Sequence, residues 1–142
     1  MISVIIPAYN EAENINLITK CISEQLEDLG DYEIIFIDDG STDATLENIK
    51  KLTRDGNNIK YISLSRNFGH QKALKAGLDH AKGDCVISMD ADMQHPPELI
   101  PRMIDKWKEG NDVVYTLRED STNTGLMKKT TSKIFYNIIN KI

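Results

Sequence analysis

The chain has 142 residues, enough for one domain with a real core and too few for two comfortable ones. Its composition, 40% hydrophobic and 27% charged, is that of a globular protein, and no run approaches the ~20 apolar residues that a membrane span needs. A net charge of −5 argues against a general nucleic-acid binder.

In chain order, "SVIIPA" reads as the first strand, and Ile15, Ile18, Ile22, Leu26 and Leu29 then recur at helical spacing after Asn10. "YEIIFID" is the second strand, and Leu46, Ile49 and Leu52 mark a second helix capped by Ser41 or Asp43. "IKYISLS" precedes a third helix carrying Ala73, Leu74, Ala76, Leu78 and Ala81. "DCVISMD" is the fourth strand, and its helix, with Leu99, Ile100, Met103, Ile104 and Trp107, opens at Pro96 and Pro97. "DVVYTLR" reads as a fifth strand closed by Arg118. Strands this continuously apolar suit a parallel sheet covered on both faces. The alternation predicts an α/β fold, a doubly wound and mainly parallel sheet flanked by helices, with no repeat and no linker. Cys21 and Cys85 fall in apolar-patterned segments and read as reduced, buried thiols of a cytosolic protein. "MISVIIPAYNE" turns polar too soon for a signal peptide. Residues 121–142 hold Lys128, Lys129, Lys133 and Lys141 and no acid, a basic end on an acidic body that suggests an anionic neighbour.

In such sheets ligands bind beyond the carboxyl ends of the strands, where the polar clusters of this chain fall. At "DADMQ", the alternation of an extended strand end points Asp90, Asp92 and Gln94 the same way. Three oxygen donors on one side fit a hard divalent ion, Mg²⁺ or Mn²⁺, with positions left for water or phosphate. Asp92 could instead cap the helix near Pro96, but capping leaves Asp90 unexplained. In "DDGSTD", Gly40 serves the turn and the later residues the cap, which leaves Asp38 or Asp39 to accept hydrogen bonds from a ribose or a base edge. "PAYNE" sets Tyr9 beside Glu11, either a stacking face with a carboxylate or a proline-set turn with an Asn cap. His70 reads as a base or as an exposed helix-start histidine. Arg118 reads as a bidentate phosphate ligand or as a surface partner of Glu119 or Asp120. No Gly-x-Gly-x-x-Gly, phosphate-binding loop or nucleophile elbow is present, which counts against dinucleotides and ATP hydrolysis.

Together, "VIIPAYNEAENI", "IDDGSTDAT", "LSRNFGHQKALKAGLDHAKGD" and "MDADMQHPPELIPRMI" resemble the family 2 glycosyltransferases of the glycosyltransferase-A fold, over residues 3 to about 118. Within that family they look like the polyprenyl-phosphate glycosyltransferases, relatives of dolichol-phosphate mannose synthase. "DADMQHPPE" is quite specific, whereas "DDGSTD" is shared by members with unrelated acceptors. The resemblance implies that Pro7, Tyr9, Glu11 and Asp39 hold the nucleoside and that Asp90 faces the sugar and metal region. It further implies Asp92 and Gln94 as ligands of Mg²⁺ or Mn²⁺ and Arg118 as a phosphate contact, so that Asp90, Asp92 and Arg118 form the catalytic set. "SRNFGHQKALKAGL" looks more like the bacterial UDP-sugar branch than the GDP-mannose branch. The implied activity is inverting transfer of a sugar from a nucleotide-diphosphate sugar, UDP-sugar favoured, to a polyprenyl phosphate. Alternatives are transfer to a saccharide hydroxyl, a nucleotide-sugar binding module without turnover, and a phosphatase metal site.

On this reading residues 1–126 are a nucleotide-sugar-binding catalytic domain and residues 127–142 an amphipathic segment. "MKKTTSKIFYNIINKI" resembles the stretch that precedes membrane-embedded helices in the family, with Phe135, Ile138, Ile139 and Ile142 on one helical face and lysines for lipid headgroups. An ordinary final helix packed on the sheet explains the same pattern. The expectation is a soluble catalytic portion of a longer protein that works at the cytoplasmic face of a membrane. A homo-oligomer is compatible with this; a nucleic-acid partner is not.

Overall fold

The alternation of apolar side chains along the first two strands sets the architecture. The computed structural model describes residues 1–56 and 58–117. β1 (Ile2–Ala8) and β2 (Tyr32–Asp38) pair in parallel, with Ile2 opposite Tyr32 and Ala8 opposite Asp38. Val4, Ile6, Ala8, Ile34 and Phe36 face one side, and Ile5, Ile35 and Ile37 the other. Both faces are apolar, so both must be covered. On the first lie α1 (Ile15–Leu26), α2 (Thr45–Asp55) and, after a 3₁₀ turn at Pro97–Leu99, a later helix, Ile100–Lys108; Ile15, Ile18, Ile22, Leu26, Ile49, Ile100 and Ile104 complete that core.

β3 (Ile59–Ser63) follows α2 and pairs with β2. α3 (His70–His80) crosses to the second face, where Ala73 packs with Ile5, Ile35 and Ile37. A Cβ on Gly77 would stand 2.7 Å from Ile37 Cδ1, so the missing side chain is what lets α3 lie this close. β4 (Cys85–Ser88) then pairs with the free side of β1, and the helix Ile100–Lys108 is α4. All described pairings are parallel in the order β3-β2-β1-β4. This is the doubly wound sheet expected from the sequence. The order reverses at β1, which opens a crevice at the carboxyl ends of β1 and β4.

Three local expectations are corrected. Residues 112–117 of "DVVYTLR" form no strand. They run beside the outer edge of β4 across a gap of about 350 Å³, lined by Val86, Ile87, Ser88 and residues 114–116. Val113, Tyr115 and Leu117 stand 79%, 73% and 80% exposed, because β-propensity makes no strand without a hydrogen-bonded neighbour. Asn10 is not the cap of α1: it adopts φ 57°, its side-chain oxygen accepts the Thr42 N–H, and α1 begins only at Ile15. Cys21 and Cys85 are free thiols but only half-buried. Arg118 and residues 127–142 lie outside the described residues.

At the amino ends of the strands, opposite the crevice, a buried carboxylate ties the sheet together. Glu33 is 3% exposed and accepts Ser3 Oγ at 2.6 Å, Lys60 Nζ at 2.6 Å and the Lys82 N–H at 2.8 Å. Ser3 Oγ in turn accepts the Gly83 N–H at 2.8 Å. Desolvation pushes the Glu33 carboxyl up, but the hydrogen bonds from Lys60, Ser3 and Lys82 outweigh it and hold it below its ordinary value near 4.5. A depressed carboxylate stabilises the fold above its unfolded value and loses that contribution as pH falls through the folded value. Urea unfolding should therefore show stability dropping below about pH 4.5. Glu33→Ala should cost about 1–3 kcal/mol at neutral pH, since it strands buried donors, and should flatten that acid limb.

Candidate active site

The crevice is a cleft of about 430 Å³, and four chain segments converge on it. β1 and its following loop supply Pro7, Ala8, Tyr9 and Glu11, and the residue after β2 is Asp39. The β3–α3 loop and the first turns of α3 supply Asn67, Gly69, His70 and Ala73, and the segment after β4 supplies Asp90, Ala91 and Asp92. Pro7 is buried in the floor, while Tyr9 is 44% exposed at the mouth.

The loops are fixed mostly by carboxylates and hydroxyls that receive backbone N–H groups. Asp39, 3% exposed, accepts the Phe68 N–H at 2.8 Å on one oxygen and the Gly69 N–H at 2.9 Å on the other. Asp38 accepts the Ser41 N–H at 3.2 Å and is not among the cleft-lining residues. Ser41 Oγ accepts the Asn10 N–H at 3.0 Å, and Thr45 Oγ1 the Glu11 N–H at 2.8 Å. Asp43, not Ser41, takes the N–H of Thr45 at the start of α2, and it also accepts the Ala12 N–H at 3.3 Å. Desolvation raises the Asp43 carboxyl, but its bonds from Thr45 and Ala12 win and lower it overall. The polar run after β2 is thus a clamp on the loop after β1.

Gly40 is where this clamp meets the β3–α3 loop. Its φ is 69°, and a Cβ there would stand 2.4 Å from the Arg66 carbonyl carbon. The loop crosses directly over it.

After β4 the chain does not stay extended. Ala91 and Asp92 turn, Met93 takes φ 61°, and Asp92 Oδ1 accepts the Gln94 N–H at 3.0 Å. The strand-end alternation expected for residues 90–94 is therefore replaced by a turn: Asp90 and Asp92 still share the cleft, and Gln94, bonded to Asp92 through its backbone N–H, is not among the lining residues. Among the described residues no three His, Cys, Asp or Glu side chains are grouped closely enough to hold a metal by themselves. Asp90 instead lies between two imidazoles, with His70 Nε2 3.8 Å from Oδ1 and His95 Nδ1 3.6 Å from Oδ2.

A family model described as glycosyl transferase family 2 matches residues 3–142. The chain belongs to glycosyl transferase family 2. It is 45% identical over 143 residues to a bactoprenol glucosyl transferase of Shigella phage SfX, covering 99% of this chain and 47% of that protein. The chain spans about half the length of the curated relatives it matches. Among solved structures it resembles a mannosyltransferase from Pyrobaculum calidifontis in complex with GDP-Man and Mn²⁺, with TM-score 0.65 and 29% identity over 75% of this chain and 31% of that one. It also resembles S. aureus TarS in complex with UDP-GlcNAc, with TM-score 0.69 and 25% identity over 88% of this chain and 36% of that one. The fold is the glycosyltransferase-A arrangement of nucleotide-sugar transferases.

Seen as a family 2 site, the cleft brings together six of the eight residues expected from sequence: Pro7, Tyr9, Glu11, Asp39, Asp90 and Asp92. Gln94 is adjacent, and Arg118 lies outside the described residues. Sequence reading passed over Asn67 and Gly69, although "RNFGH" ends a strand like the other clusters, and it passed over His95 altogether. The Gly40 contact gives a test. Gly40→Ala must both adopt a left-handed backbone and displace Arg66, whereas Gly69→Ala, at φ 94° with nothing within 4 Å, meets only the conformational penalty. Gly69→Ala should cost about 1–3 kcal/mol in urea melts, and Gly40→Ala clearly more.

Proposed function

We propose that this domain binds a nucleotide-diphosphate sugar, with UDP-sugar favoured, and transfers its sugar with inversion to a polyprenyl phosphate. The observation that carries the reading is the charge of the cleft. Four carboxylates, Glu11, Asp39, Asp90 and Asp92, line it, and no Lys or Arg does among the described residues. A diphosphate cannot enter such a cleft without a cation to offset the repulsion. Asp90 and Asp92 offer hard oxygen donors in the cleft, and Gln94 follows two residues on with its backbone N–H on Asp92; oxygen donors of this kind suit Mg²⁺ or Mn²⁺, which keep positions for phosphate oxygens. Held there by Asp90, Asp92 and Gln94, the ion would supply positive charge to the diphosphate leaving group. The Mn²⁺ in the complex of the structurally similar mannosyltransferase supports this donor set.

The rest of the chain orients the donor. Tyr9 presents a ring face for the base, and Pro7 and Glu11 bound the nucleoside end. Asp39 retains acceptor capacity beyond its two backbone bonds and faces the ribose. A phosphate oxygen of the acceptor attacks the anomeric carbon from the face opposite the leaving group. The new C–O bond forms as the bond to the nucleoside diphosphate breaks, and the leaving oxygen takes the electron pair. A phosphate is already ionised at neutral pH, so this acceptor needs no general base. The bactoprenol glucosyl transferase name of the phage relative supports a lipid phosphate as acceptor. Arg118 is assigned to phosphate, and residues 127–142 to the surface of an anionic membrane.

Calorimetric titration with UDP should show weak binding in EDTA and at least tenfold tighter binding with Mn²⁺; equal affinities would refute the cation assignment. Asp92→Asn should weaken the Mn²⁺-dependent part while leaving the apo melting temperature unchanged or raised, because one repelling charge is gone. For the tail, sedimentation with vesicles should show binding to anionic but not neutral lipid, weakened by salt, and removal of residues 127–142 should abolish it.

A further inference from the structure

His70 is the exposed helix-start histidine that one sequence reading offered, and it also lines the cleft. It is the first residue of α3, and its backbone is set by Gly69, whose N–H is bonded to the buried Asp39 carboxylate. It lines the cleft together with Asp90, across from which it stands. Its Nε2 lies 3.8 Å from Asp90 Oδ1. That distance is too long for a direct hydrogen bond. It does suit one small group lying beside the line between them, about 2.8 Å from each, the separation of an ordinary O–H···O or N–H···O bond.

The chemistry of the two sides narrows what that group is. A carboxylate only accepts hydrogen bonds, and an imidazole N–H donates. A hydroxyl satisfies both at once, giving its proton to Asp90 and receiving the N–H of His70. A phosphate oxygen would meet the carboxylate as a like charge. His95, on the other side of Asp90, is not part of the cleft lining and faces the gap beside β4, so it does not compete for this position.

Resting on the donor reading above, we infer that His70 is a specificity-determining contact that, with Asp90, binds one hydroxyl of the transferred sugar. The nucleoside end of the cleft, at Tyr9, Glu11 and Asp39, does not need it. His70 is half exposed at a helix start, so its replacement leaves the core untouched.

The experiment titrates the 142-residue chain with UDP and with UDP-glucose, both in Mn²⁺, and compares it with His70→Ala and His70→Gln. Thermal melts confirm that the variants are folded. His70→Ala should weaken UDP-glucose roughly three- to tenfold, the worth of one hydrogen bond, with UDP affinity within twofold. His70→Gln, which keeps an N–H donor, should recover part of the loss. Unchanged UDP-glucose affinity in His70→Ala, or an equal loss for UDP and UDP-glucose, would overturn the sugar contact while leaving the donor reading intact. Failure of the unsubstituted chain to bind UDP at all would overturn the donor reading and this contact with it.

Discussion

The cleft depends on one buried carboxylate. Asp39 directly follows β2 at the carboxyl edge of the sheet, and each of its oxygens takes a backbone N–H from the loop that follows β3. Without it, two half-buried amides just before α3 would lose their acceptor, a cost of up to about 1–3 kcal/mol each. The consequence reaches beyond stability. Because the bonds go to Phe68 and Gly69, they fix where α3 begins and therefore where His70 stands. The carboxylate that the family resemblance assigns to the nucleoside is thus also the brace that shapes the wall opposite Asp90. A ligand hydroxyl would find Asp39 already oriented, and such a group gains affinity without losing its own freedom on binding.

The rest of the "DDGSTDAT" run follows the same logic. Ser41, Asp43 and Thr45 spend their oxygens on the N–H groups of Asn10, Ala12 and Glu11, and Asn10 returns a bond to Thr42. Asn10 is held in a left-handed conformation, which asparagine tolerates better than most residues. This reciprocal clamp positions Tyr9 and Glu11. A motif with three carboxylates and three hydroxyls therefore looks chemically reactive in sequence while most of its atoms serve the backbone.

That division explains what was legible in the sequence. The strands up to β4 and the helices α1–α4 could be read because hydrophobic spacing reflects burial directly. The convergence of Tyr9, Asp39, Asp90 and Asp92 could be read because a parallel sheet delivers successive strand ends to one edge. The turn at residues 91–93 could not, since "DADMQ" has no Gly or Pro to announce it and Met93 takes its left-handed backbone unaided by composition. The segment after α4 misled for a different reason. Val113, Tyr115 and Leu117 have strand-like alternation, but pairing is a property of two segments, and one segment's pattern cannot supply the second. Asn67 and His95 were missed because neither belongs to a periodic pattern; only their neighbours in space, the cleft and Asp90, give them meaning.

The acidity of the cleft bears on how a transferase of this kind would release its product. A diphosphate site lined with lysines would hold nucleoside diphosphate in any ionic condition, and binding of that uniform sort contributes nothing to the barrier of the chemical step. In a site lined by Glu11, Asp39, Asp90 and Asp92, attraction for the diphosphate is conditional on the cation that comes with it. On the proposed reading, Asp90 and Asp92 would hold a cation beside the leaving oxygen, where its charge would act selectively on the transition state. Without that charge, the same carboxylates would repel a nucleoside diphosphate. On the proposed reading, the repulsion between Asp90 and Asp92 serves both binding and release.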